Sequence, residues 1–128
     1  MKLSAISAAL LLLSPFAQAT TLDLNLQKSM PEIEKLYLDL HQSPELSYHE
    51  KQTGQKLAKQ LKKLGFTVTD NVGGYGVVGI YKNGDGPTVM IRTDTDGLPI
   101  VEQTGKPYAS KVTVTNDAGA TVGVMHGC

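Results

Sequence analysis

Four side chains in this 128-residue chain have types that could do chemistry together: Asp94, Asp96, His126 and Cys128. Thiolate, imidazole and carboxylate are the usual ligands of zinc, and catalytic zinc sites keep one position open for water. Asp94 and Asp96 follow the apolar run Val89-Met90-Ile91, which reads as a buried strand running to Arg92. Side chains two apart share one face of a strand, and the carboxyl end of a strand is where α/β proteins tend to bind ligands. Two carboxylates on one face repel each other unless a cation, a proton or an arginine sits between them. An acidic loop cap is the alternative reading of the same pair. His126 and Cys128 repeat the two-residue spacing at the end of a second strand signal. Their plain alternative is a free thiol beside a surface histidine. His41 and His49 flank Pro44-Glu45-Leu46; the first reads as a hydrogen-bonded residue at a helix end, the second as an exposed first-turn residue.

Other chemistries lack their signatures. Ser43 and Ser110 have no glycine elbow around them, so a serine hydrolase is not signalled. A paired-carboxylate glycosidase needs acids on opposite sides of a substrate, and Asp94 and Asp96 are too near in sequence for that. Gly73, Gly74 and Gly76 are followed by neither a helix start nor Lys-Ser/Thr, so they turn the backbone rather than cradle phosphate. Lys plus Arg and Asp plus Glu are 12 each, giving a net charge of zero. Nothing in that balance draws nucleic acid or an anionic surface. The lysines at 56, 59, 62 and 63 read as a solvated helix face.

The elements that must position these residues follow from the pattern. Ser29-Met30-Pro31-Glu32 forms a capping box. Met30, Ile33, Leu36, Tyr37 and Leu40 then repeat at helical spacing, so a helix is expected from Ser29 to about His41, stopped by Pro44. A second capping box, Ser47-Tyr48-His49-Glu50, opens a helix with its apolar stripe at Leu57, Leu61 and Leu64 and its stop at Gly65. Strands are expected over 66–69, 76–81, 89–92, 111–115 and 121–125, with turns at Asn83-Gly84-Asp85-Gly86 and Asn116-Asp117-Ala118-Gly119. Helix, helix, then strands predicts an α/β layer in which helices pack on a mixed sheet. The chain passes straight from a strand signal to Cys128, and it reads as part of a domain, incomplete by itself.

The first residues read as an address. Lys2 supplies a positive end, the apolar core covers 5–13, and Ala17-Gln18-Ala19 fits a small-x-small cleavage pattern. Residues 1–19 are therefore expected to be a signal peptide cut after Ala19, and the product to be exported, periplasmic or secreted. The apolar run is too short to span a bilayer as a helix, so no membrane association is expected after cleavage. The single cysteine cannot form a disulfide within the chain.

Three motifs, in order, carry a resemblance. His41-Gln42-Ser43-Pro44-Glu45-Leu46-Ser47 with Glu50 and Thr53 comes first, then Arg92-Thr93-Asp94-Thr95-Asp96-Gly97-Leu98-Pro99-Ile100, then Gly123-Val124-Met125-His126-Gly127-Cys128. Together they resemble a metal-dependent amidohydrolase and metallopeptidase family that includes hippurate hydrolases, N-acyl-amino-acid amidohydrolases and plant auxin-conjugate hydrolases. The resemblance implies that 20–128 is the N-terminal portion of a zinc-peptidase-like catalytic domain. It implies hydrolysis of the amide bond of an N-acyl amino acid or short peptide, with two divalent metal ions, zinc or manganese first and cobalt or nickel also suited. It makes Cys128 a metal ligand, sets His126 behind the ligands, gives Asp96 a supporting catalytic role and Asp94 a lesser one. Gly97 stands where many relatives carry alanine. In that family the general-base glutamate and the remaining ligands follow the cysteine motif, and the full-length enzymes can be homodimers. A portion of such an enzyme would be inactive alone. A decayed, non-catalytic remnant or a binding module is the competing reading.

Overall fold

The structure, a computed structural model, describes residues 16–127. The chain divides into two compact units, Met1–Leu36 and Tyr37–Cys128. Helix α1 spans Phe16–Gln42 and passes from the first unit into the second. Within the first unit it begins far earlier than the capping box at Ser29 predicts. Ser29 does not cap; its hydroxyl donates to the Asn25 carbonyl 3.0 Å away, one turn back. A serine can spend its hydroxyl this way inside a helix as readily as at its start. Pro31 sits within the helix. It has no N–H, so the carbonyl four residues before it loses its helical partner. The expected cleavage point after Ala19 falls inside α1, and the remainder of the expected signal, 1–15, lies outside the described residues. Among the described residues no helix is long and apolar enough to cross a membrane.

In the second unit α1 ends at Gln42, close to the expected stop, and α2 covers Lys51–Lys63. The second capping box does not form either. The Glu45 carboxylate caps α2 from the preceding loop, accepting the backbone N–H of Gln52 at 3.1 Å and of Thr53 at 2.7 Å. Those are two of the four donors a helix start leaves open. A carboxylate there also meets the positive end of the helix dipole. At the other end Gly65 adopts φ +87° and its N–H reaches the Lys62 carbonyl, while Phe66 donates to Leu61. The glycine stop is where the sequence places it, because only glycine takes that φ without strain.

Helix α2 packs on a hairpin of β1 (Thr67–Val72) and β2 (Gly76–Ile80), paired antiparallel with an irregularity between Thr69 and Val72. Thr53, Gly54 and Ala58 are the buried residues of α2. Gly54 is obligatory there, since a Cβ would run into the Tyr75 carbonyl oxygen. A second antiparallel hairpin joins β3 (Thr113–Thr115) to β4 (Thr121–Gly123). The Asn116 side chain closes its turn by accepting the N–H groups of Ala118 and Ala120. Both strands are shorter than the runs 111–115 and 121–125 suggest. Two isolated bridges, Leu46 with Gly97 in parallel and Leu98 with Met125 antiparallel, add pairing of both senses.

The run 89–92 corrects the central expectation. It is not a strand, and Val89, Met90 and Ile91 are 81%, 85% and 88% exposed. Period and composition describe what a segment would do beside a partner. No described strand pairs with this one.

Candidate functional site

The middle and last motifs meet at one place. Gly97 N–H donates to the Glu45 carbonyl at 2.6 Å. Leu98 and Met125 exchange both backbone bonds, at 2.7 and 3.1 Å. His126 then reaches back, its Nδ1 lying 3.0 Å from the Asp96 carbonyl oxygen. A carbonyl can only accept, so Nδ1 carries the proton and donates. The other ring nitrogen, Nε2, is buried with no hydrogen-bond partner among the described residues. Beneath this junction Val124 is 1% exposed and donates its N–H to the Val112 carbonyl. Gly97 is buried against it. A Cβ at Gly97 would lie 2.8 Å from Val124 Cγ1 and 3.0 Å from Pro44 Cβ. Where relatives are expected to carry alanine, this chain leaves no room for one.

A hydrogen bond from His126 to the Asp96 main-chain carbonyl thus brings these two residues together across 30 positions of sequence. Asp94 is not brought to them by any contact. It is 75% exposed and pairs with Arg92 at 3.1 Å. No strand forms over 89–92 to set Asp94 and Asp96 on one face. The arginine is the cation beside Asp94. Cys128 lies outside the described residues. Among the described residues no group of three or more His, Cys, Asp or Glu is placed to hold a metal ion. Asp96 and His126 have the right donor chemistry for the surroundings of such an ion, but two of them do not make a site.

A polar cluster that sequence reasoning missed lies at the end of α1. The Glu102 side chain is 0% exposed and faces His41, itself 12% exposed, with Nε2 at 3.1 Å from Oε1. Oε1 also accepts the Thr104 hydroxyl at 2.5 Å, and Oε2 accepts the Ser110 N–H at 2.6 Å. The Thr104 hydroxyl foremost, then His41 and the Ser110 amide, lower the Glu102 pKa from 4.5 to about 2. Tyr108 stands edge-on to the His41 ring at 5.5 Å. The Ser110 hydroxyl continues the network to the Val124 carbonyl at 2.6 Å. His41 is therefore the bonded helix-end residue expected, and the missing signal was its partner, an acid in a stretch that shows no period. His49 is exposed, as expected, and pairs with Asp117 at 3.1 Å. An open pocket of about 400 Å³, lined by Pro44, Glu45, His49 and Val114 among others, touches none of Asp94, Asp96 or His126.

No protein-family model matches the chain. Individual proteins do. It is 39% identical over 98 residues to a putative amidohydrolase, YhaA, of Bacillus subtilis, covering 76% of this chain and 22% of that one. It is 37% identical over 98 residues to the hippurate hydrolase of Campylobacter jejuni, covering 76% of this chain and 23% of that one. Among solved structures, a dinuclear metal-binding peptidase of Bacillus subtilis, the YXEP protein, matches with a TM-score of 0.65 and 36% identity, over 80% of this chain and 26% of that one. The chain thus spans about a quarter of the length of these relatives.

Proposed function

The chain belongs to the metal-dependent amidohydrolase and metallopeptidase family over the quarter of its relatives' length that it spans, and from that premise we propose that it forms the N-terminal portion of a hydrolase for N-acyl amino acids or short peptides. One observation carries the reading beyond likeness: Asp96 and His126, from separate motifs, are joined by a hydrogen bond at the junction that leads to Cys128. Two divalent ions, when bound, would polarise the scissile carbonyl and make water a nucleophile near neutral pH. In this reading Cys128 is a ligand and Asp96 supports the ligands from behind. His126 holds the backbone between them, and Asp94 stays at the rim with Arg92.

The same proposal makes 1–19 a removable signal and the product exported. It also makes this portion alone unable to turn over substrate, because a single thiolate does not hold a metal. Three relatives support an N-acyl amino acid as substrate, since their names are those of a hippurate hydrolase and two deacetylases of N-acetylcysteine; the hippurate-like choice rests on the first of them.

The test is to read the coding DNA past the Cys128 codon and express what it encodes. A reading frame that runs on to a protein hydrolysing hippurate only with zinc or manganese supports the proposal. A stop codon at that point, or a longer product that binds no divalent ion, sinks it.

A further inference from the structure

We infer that His126 is a positioning residue whose imidazole sets the backbone at Asp96. The two residues after this point are tied by main-chain bonds: Gly97 to the Glu45 carbonyl, Leu98 to Met125 in both directions. The Asp96 carbonyl is held differently, by a side chain 30 residues away, through Nδ1 at 3.0 Å. The ring is held in turn because Met125 is locked to Leu98 and Val124 is buried and bonded to Val112. His126 therefore adds a tie at the Asp96 carbonyl to the main-chain bonds that hold Gly97 and Leu98. The Asp96–Gly97 peptide is thus held on both its C=O and its N–H, which restrains ψ at Asp96 and narrows the directions in which its carboxylate leaves the chain.

The bond also fixes the tautomer. In a neutral ring whose Nδ1–H is donated to a carbonyl, Nε2 is a lone-pair acceptor. That nitrogen is buried and unpartnered among the described residues. A buried polar atom with no partner is uncommon and has a cost, which an apolar residue at 126 would avoid. The bond to the Asp96 carbonyl is what an apolar filler could not make. Its use as a positioning device for a metal-supporting aspartate rests on the proposed hydrolase function; the bond itself does not.

Asparagine and glutamine separate the two nitrogens. An Asn amide nitrogen falls near the place of Nδ1, and a Gln amide nitrogen near that of Nε2. The experiment uses the whole 128-residue chain. Nitrogen-15 spectra of the wild-type imidazole give its tautomer directly, and amide exchange at Gly97 and Leu98 reads the junction in wild type and in His126→Asn, His126→Gln and His126→Ala. The expected result is the Nδ1–H tautomer in wild type, with exchange about fivefold faster in His126→Gln and His126→Ala, as loss of one ordinary hydrogen bond would give. His126→Asn should hold exchange near the wild-type rate. An Nε2–H tautomer in wild type overturns the inference with no variant needed. Equal acceleration in all three variants overturns it too, because that marks a ring that only fills space. Titration with zinc of the longer product encoded past the Cys128 codon tests the functional reading separately: the expected tautomer and rescue pattern, with no zinc bound by that longer product, keeps the clamp and loses the hydrolase.

Discussion

Glu102 shows how a single side chain can be set against pH. Its folded pKa is depressed to about 2 from an ordinary 4.5, first by the Thr104 hydroxyl and then by His41 and the Ser110 amide. A carboxyl with a depressed folded pKa contributes stability that is fully present above its unfolded value. That contribution is lost as pH falls through the folded one. The chain should therefore keep this contribution at pH 5 and above and shed it between about 4.5 and 2. Replacing Glu102 with Gln should lower the melting temperature at pH 7 and flatten its fall between those two pH values. Thermal melts followed by circular dichroism across that range give both numbers. A variant that melts like wild type at pH 7 would show that the network is incidental. Gly97 makes the opposite argument, from volume. An added methyl would press on Val124 and Pro44, and overpacking of this kind costs about 1–3 kcal/mol. Gly97→Ala should be destabilised by that amount in urea unfolding, despite alanine being ordinary at this position by resemblance.

At the scale of elements, one residue starts α2. Glu45 takes the N–H groups of Gln52 and Thr53, and losing such a cap costs about 1 kcal/mol. Glu45→Ala should show that loss in urea unfolding, whereas Ser47→Ala, which removes the hydroxyl of the expected capping box, should change stability by less than about 0.5 kcal/mol. The contrast marks what the sequence could and could not say. Both helices were legible, together with their ends at Gln42 and Gly65, because apolar period and glycine or proline stops act within a few residues. Their starts were not. A capping oxygen is chosen by geometry, and a glutamate in the preceding loop competes with a serine nearer the helix. The second hairpin was legible from its turn at Asn116-Asp117-Ala118-Gly119, although each of its strands is shorter than its alternating run; the first was signalled only by glycines that turn the backbone, and the turn expected at Asn83-Gly84-Asp85-Gly86 joins no pair of described strands. The site was half legible. Spacing singled out Asp96 and His126 but could not place a bond between them across 30 residues. It set Asp94 and Asp96 on one face through a strand over 89–92, and that strand does not form. Glu102 left no trace because Thr104 and Ser110 share with it a loop that has no period, and His41 lies 61 positions away.

For the molecule as a whole, the consequence lies in 89–91. Three consecutive large apolar side chains are each more than 80% exposed, on backbone that pairs with no described strand. Extended apolar segments with open N–H and C=O groups recruit other chains, and proteins usually guard against this with charge, proline or a cover. Here Pro87 precedes the run and Arg92 follows it, with the charge of Arg92 already engaged by Asp94. The run itself carries no charge. The chain expressed by itself should therefore self-associate as its concentration rises. Met90→Lys should suppress this, because a charge in the middle of the segment opposes a second strand beside it. Since Met90 is 85% exposed, the substitution should shift stability by no more than about 0.5 kcal/mol. Sedimentation velocity over a hundredfold range of concentration separates the possibilities. Association in wild type that Met90→Lys removes places the contact at this run. Association that both proteins share places it elsewhere, and the exposed leucines at 22, 24 and 26 of the first unit would be the next to carry lysine.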